Sequence, residues 1–184
     1  MQDYREFLGS ILISEAQLQS RIAEIGAQIS QDYAGEDLLL VCILRGGVLF
    51  LTDLMRHITT PHAIDFMAVS SYGIGARQSS GQARINLDIN TDIRDRNVLL
   101  VEDIVDSGYT LEAVLALLRT RRPKTLRTCV LLDKAERREA SIPVNYVGFS
   151  IPNAFVFGYG LDIDEHYRNL PFIGVVDLEK YRPD

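Results

Sequence analysis

Two segments of the chain share one grammar: a nearly continuous apolar run, a turn of small residues, then an amphipathic stretch. DLLLVCIL breaks at Gly46-Gly47 and resumes as VLFLTDLMRHI. NVLLVEDI runs into DSGYT and resumes as a helix from about Thr110 to Arg122, closed by Pro123. Apolar runs without alternation belong to strands covered on both faces. Such strands, joined through helices, require right-handed crossovers and a mostly parallel sheet in an α/β domain. Ligands in such sheets bind beyond the carboxyl ends of the strands. The unusual residues of this chain gather at those ends, in LRGG, SSYG and VEDIVDSGYT.

The rest of the chain fits this frame. Ser14 to Asp32 reads as a helix, with Ser14 and Gln17 as a capping box and Leu18, Ile22, Ile25 and Ile29 at helical spacing. AIDFMAVSSYG, TLRTCVLLDK, VNYVGFSI and FIGVVDL supply further strands. Between Gly73 and Leu87 the chain turns polar and small (GIGARQSSGQARINL), the composition of a lid or a disordered connection. At 184 residues, without repeats or a dividing linker, the chain is expected to form one domain spanning 1–184.

Composition narrows the partners. A formal net charge of −6 argues against a general nucleic-acid binder but leaves room for a locally basic site. Cys42 and Cys129 sit inside apolar runs at a spacing that matches no metal or redox motif, so both read as reduced core thiols. No apolar run approaches membrane-spanning length and no signal peptide heads the sequence. The expectation is a soluble cytoplasmic protein without a membrane partner. His57, His62 and His166 form no recognisable triad or metal cluster, and His166 is expected at the surface near the site's margin.

The segment NVLLVEDIVDSGYTL carries the chemistry. At the start of a helix, DSGYT offers backbone N–H groups without intrahelical partners, a ready anion site. Gly108 lets the backbone approach a ligand closely, and Ser107, Tyr109 and Thr110 add hydroxyls. Glu102 and Asp103 would repel a bare phosphate; they suit neighbouring ribose hydroxyls or a hydrated Mg²⁺. Acids followed by an anion cradle spell a ribose 5-phosphate. The bland alternative leaves Asp106 as a helix cap and the other acids solvated. The segment is neither a Walker A loop nor GxGxxG.

VLLVEDIVDSGYTL closely resembles the phosphoribosyl pyrophosphate (PRPP) signature of type I phosphoribosyltransferases. ILRGG, DFMAVSSYG, LLDK and IPNAFVFGYGLDIDEHYRNLP extend the resemblance through nearly the whole chain, to the hypoxanthine-guanine phosphoribosyltransferases of purine salvage. The short form, without an N-terminal extension, looks bacterial. The resemblance implies a mostly parallel twisted sheet flanked by helices, a mobile lid, and a small hood from the N-terminal segment and about 150–184. It implies Mg²⁺-dependent transfer of ribose 5-phosphate from PRPP to N9 of a 6-oxopurine, with release of pyrophosphate. A homodimer or homotetramer is implied as well.

By the same resemblance, Glu102 and Asp103 hold the ribose hydroxyls, directly or through metal, and Asp106 to Thr110 bind the 5′-phosphate. Asp106 takes the general acid/base position near the purine N7. Lys134 donates to the purine O6, Phe155 stacks on the base, and the Val156 main chain meets its edge. Asp162 binds Mg²⁺-pyrophosphate and lies near the 2-position, so the expected metal set is Glu102, Asp103 and Asp162. Arg45, Gly46 and Arg168 meet the pyrophosphate; many members carry lysine where this chain has Arg45. Members often have a cis peptide at the position of Leu44-Arg45. Ser71 and Tyr72 head the lid. Read without the family, FVFGYG alternates like a core strand, with Phe157 inward and Phe155 towards the site. Two alternatives stay open: a preference for xanthine or, further off, adenine, which residues around Asn153 and Asp162 would decide, and a PRPP-sensing regulator on the same fold.

Overall fold

The computed structural model describes residues 2–71 and 83–183. Its main sheet has six strands in the order β4-β3-β2-β5-β6-β7: β2 (Leu38–Leu44), β3 (His62–Ser71), β4 (Ala83–Leu87), β5 (Asn97–Val105), β6 (Thr125–Asp133) and β7 (Tyr146–Ser150). All neighbours run parallel except β4, which returns antiparallel along β3. Strand β4 corrects the sequence expectation. Its residues were placed in the polar connection, yet Ala83, Arg84, Ile85 and Leu87 pair with β3 as an edge strand. Edge strands are short and half-solvated, so they lack the apolar run that marks the central ones.

Why the central strands read as unbroken apolar runs is visible in β2. Leu38, Leu40 and Cys42 join one core cluster, and Leu39, Val41 and Ile43 join the other. A strand alternates sides, so both faces must be apolar when helices cover both. The first cluster packs under α2 (Glu15–Asp32) and α3 (Val48–His57); the second packs under α4 (Tyr109–Thr120). Helix α2 begins with the expected capping box, Ser14 with Gln17, and buries Leu18, Ile22, Ile25 and Ile29. Both cysteines are free and buried. Burial, with Glu102 and Asp103 nearby, pushes the Cys42 thiol up to about 12, and burial raises Cys129 too, so neither is a reactive thiolate.

A second sheet of three strands, ordered β1-β9-β8, joins the chain's two ends. Strand β1 (Leu8–Ile13) follows the short helix α1 (Tyr4–Phe7); β8 (Val156–Phe157) and β9 (Ile173–Val176) come from the C-terminal part. Phe7, Phe157, Ile163, Leu170 and Val176 form its own core, edged by Tyr4, Tyr167 and Tyr181. The segment between β8 and β9 is thereby folded back over the end of the main sheet, where Gly160 meets Gly46. A Cβ on Gly160 would lie 2.1 Å from the Gly46 carbonyl oxygen, and Gly160 has φ of +97°. No helix among the described residues is long and apolar enough to cross a membrane.

Candidate active site

The parallel topology delivers the carboxyl ends of β2, β3 and β5 to one place. A cavity of about 380 Å³ opens there, between Leu44–Gly46, Glu102–Gly108 with Thr110 and Leu111, and Asp162 with Arg168. These segments are distant in sequence and meet because β2 and β5 are direct neighbours.

The floor is the turn between β5 and α4. Gly108 caps α4 with φ of +90° and no side-chain bond, and its carbonyl accepts from Glu112 N at 2.9 Å. The first N–H groups of a helix lack helical acceptors, so those of α4 are available to an anion. Asp106 is not the helix cap. Glycine is required at 108 for a reason beyond ligand approach: a Cβ would sit 3.2 Å from Ala140 Cβ and 3.3 Å from Ile142 Cδ1. The Ser107 carbonyl accepts from Glu139 N and Ala140 N, both at 2.9 Å, pinning the turn to the segment after β6. Tyr109 does not line the cavity; its phenol donates to Glu139 Oε2 at 3.0 Å.

The acid pair is crowded. Burial and the adjacent Asp103 carboxylate push Glu102 well above the usual carboxylate range. Asp103 accepts from Ile104 N at 2.8 Å and packs on the loop after β2, where a Cβ on Gly46 would fall 1.5 Å from Asp103 Oδ2. A side chain at 46 would displace the Asp103 carboxylate from its present position. The Leu44-Arg45 peptide bond is cis. Among the described residues no three His, Cys, Asp or Glu side chains gather into a cluster that holds a metal by itself. The expected trio Glu102, Asp103 and Asp162 shares the cavity without forming such a cluster; Asp162 meets Arg168 Nη2 at 2.9 Å and accepts from Glu165 N at 2.9 Å. The chemistry of the donors still suits Mg²⁺, a hard cation commonly held by one or two carboxylates together with water and substrate phosphates.

Asp106 stands between two cations. Its Oδ2 accepts from Lys134 Nζ at 3.1 Å and its Oδ1 from Arg137 Nε at 3.1 Å. Lys134 follows β6, which lies beside β5, and is 8% exposed. Sequence reasoning named Asp106 and Lys134 separately; Arg137 was missed, since an arginine in a charged post-strand segment looks like any solvated one. Opposite this trio, Arg168 Nη1 donates to Gly160 O at 2.9 Å, while Arg45 and Arg168 both donate to Glu165. Arg168 beside Glu165 holds that carboxyl below its ordinary value. Glu165 was also missed.

The expected base-binding residues are placed less directly. Phe155 is 49% exposed and Val156 is buried in β8; neither lines the cavity. Phe157 is fully buried against Phe7 and Tyr167, the inward role expected of it. Ser71 ends β3, opposite Ala83. Tyr72 lies outside the described residues. His166 is exposed, its ring edge-on to Tyr167.

An open, mostly parallel α/β sheet with a cavity, a helix N-terminus and paired acids at the carboxyl ends of its strands defines an α/β protein whose ligand site lies at that edge. Residues 13–164 match the phosphoribosyl transferase domain family. The hypoxanthine-guanine phosphoribosyltransferase of Mycobacterium avium is 50% identical over 179 residues, covering 94% of this chain and 88% of that protein. The hypoxanthine phosphoribosyltransferase of Escherichia coli K12 is 48% identical over 170 residues, covering 91% and 95%. A crystal structure of a hypoxanthine phosphoribosyltransferase from Staphylococcus aureus superposes with a TM-score of 0.93 at 43% identity, covering 98% of this chain and 97% of that one. The chain belongs to the phosphoribosyltransferase family, in its hypoxanthine and hypoxanthine-guanine branch, and is a transferase.

Proposed function

We propose that this enzyme serves purine salvage by transferring ribose 5-phosphate from PRPP to N9 of hypoxanthine or guanine, giving IMP or GMP and pyrophosphate. The observation that carries the reading is the pairing of Asp106 with Lys134 beside the phosphate turn. One residue is a proton acceptor; the other is a buried donor suited to an exocyclic oxygen. The ammonium has three protons, so Lys134 can keep Asp106 and still donate to O6. Adenine presents a donor there and would leave a buried group unpaired, at about 1–3 kcal/mol.

In this reading the α4 turn, with Ser107 and Thr110, binds the 5′-phosphate, and Glu102 and Asp103 hold the ribose diol. Arg45, Gly46 and Arg168 bind the pyrophosphate, whose oxygens match the planar guanidinium forks. The C1′–oxygen bond to pyrophosphate breaks as N9 bonds to C1′, and Asp106 receives the imidazole proton near N7. The same carboxylate steadies positive charge at C1′. Mg²⁺, held by Glu102, Asp103 and Asp162 with substrate oxygens, would supply charge neutralisation. Phe155 stacks on the base, and Val156 meets its edge through the main chain. The chain works as one domain, 1–184, in a cytoplasmic homodimer or homotetramer. Pyrophosphate release from PRPP, measured with hypoxanthine and Mg²⁺, tests the reading. Release that requires both and stops with EDTA supports it; no release under any condition contradicts it.

A further inference from the structure

The proposed reaction leaves Glu165 without a task, yet its carboxylate bridges the two arginines assigned to pyrophosphate. Arg45 Nη1 donates to Glu165 Oε2, and Arg168 Nη2 donates to the same oxygen at 3.0 Å. The arginines come from two segments distant in sequence, the loop after β2 and the segment before β9, and both line the cavity.

The placement is built in several ways. The Glu165 backbone has φ of +69°, a conformation L-residues seldom adopt. Its N–H donates to Asp162 Oδ2 at 2.9 Å, and Asp162 Oδ1 meets Arg168 Nη2 at 2.9 Å. The contact of Gly160 with the Gly46 carbonyl holds the two segments together behind the bridge.

We propose that Glu165 is an internal stand-in for the diphosphate: it bridges Arg45 and Arg168 in the free enzyme and yields to pyrophosphate oxygens when the site fills. The inference rests on the pyrophosphate reading above. Carboxylate and phosphate oxygens are alike to a guanidinium fork, so one can replace the other without moving the arginines far. Without the Glu165 carboxylate the two like charges repel; Arg168 is still held by Asp162 and the Gly160 carbonyl, and Arg45 loses the bond that draws it towards Arg168. With Glu165 between them they stay near binding positions. When pyrophosphate departs, the carboxylate returns and competes against rebinding, which favours product release.

The competition is modest, because the Arg45 and Glu165 side chains are 70% and 61% exposed. Exposed pairs of this kind shift an equilibrium by about two- to fivefold. Isothermal titration with inorganic pyrophosphate in excess Mg²⁺, on wild type, Glu165→Gln and Glu165→Asp, tests the proposal. Glu165→Gln is expected to bind pyrophosphate about two- to fivefold tighter and to be more strongly product-inhibited. Glu165→Asp, which keeps the charge on a shorter arm, should fall between the two. In an Arg45→Gln background the effect of Glu165→Gln should shrink. Wild-type binding with no tightening in Glu165→Gln overturns the stand-in and leaves the pyrophosphate site intact. Absence of binding in wild type contradicts the pyrophosphate site itself, and the stand-in with it.

Discussion

Among single residues, the proposed chemistry turns on charges that are expensive to leave unpaired. Asp106→Asn removes the proton acceptor while keeping its shape, so kcat should fall by about 10²–10⁴-fold with PRPP affinity little changed. Undiminished turnover would refute the acid/base role. Lys134→Gln should raise KM for hypoxanthine more than KM for PRPP; equal effects would count against a contact to O6. Glu102 gives a pH test in the metal-free protein. Its folded value is raised, so ionisation disfavours the fold: the penalty is absent below the ordinary carboxylate range, grows as pH rises from that range towards the raised folded value, and is complete above it. Glu102→Gln should therefore melt higher than wild type at pH 8 and equally at pH 4, with EDTA present. A lower melting temperature at pH 8 would contradict the crowding. Asp106 and Lys134 were legible in the sequence because each ends a strand of an identifiable pattern. Their mutual contact was not, because it depends on β6 lying next to β5. Arg137 and Glu165 were illegible for another reason: their partners are set by segments that close up only in three dimensions.

At the scale of elements, the strand–turn–helix unit is constrained from both sides. In the proposed reading the turn leaves its N–H groups open for phosphate, and it also packs on the segment 139–142. Gly108→Ala meets both a positive φ and tight contacts to Ala140 and Ile142. It should cost about 1–2 kcal/mol of stability, read from denaturant midpoints. An unchanged midpoint would show that the turn relaxes freely. The sequence announced this unit clearly, because buried strands and helix periodicity leave strong patterns. It announced β4 and β1 poorly. Ala83–Leu87 is five residues of edge strand, and Leu8–Ile13 is largely exposed on one sheet edge, so neither has a full apolar signature.

At the scale of the whole molecule, two sheets meet over one cavity, and the chain's ends come together to build the smaller sheet. Gly160 on Gly46 ties that sheet's loop to the loop after β2, and the Tyr159 hydroxyl, donating to Asp53 Oδ2 at 2.5 Å, ties it to α3. The parallel core could be read from the sequence because each strand reports its own burial. The docking of the smaller sheet could not, because it depends on contacts between residues far apart in sequence: Ile13, Val156 and Ile173 join the same core cluster as α2 and α3, and Gly160 approaches Gly46. In the proposed reading this cavity joins ribose 5-phosphate to a 6-oxopurine and rejects adenine. The decisive experiment supplies PRPP and Mg²⁺ with hypoxanthine, guanine, xanthine or adenine in turn, and separates the products by chromatography. The expected products are IMP or GMP with hypoxanthine or guanine, and no AMP with adenine. Efficient AMP formation, or no nucleotide from any base by a protein that binds PRPP, would contradict that reading.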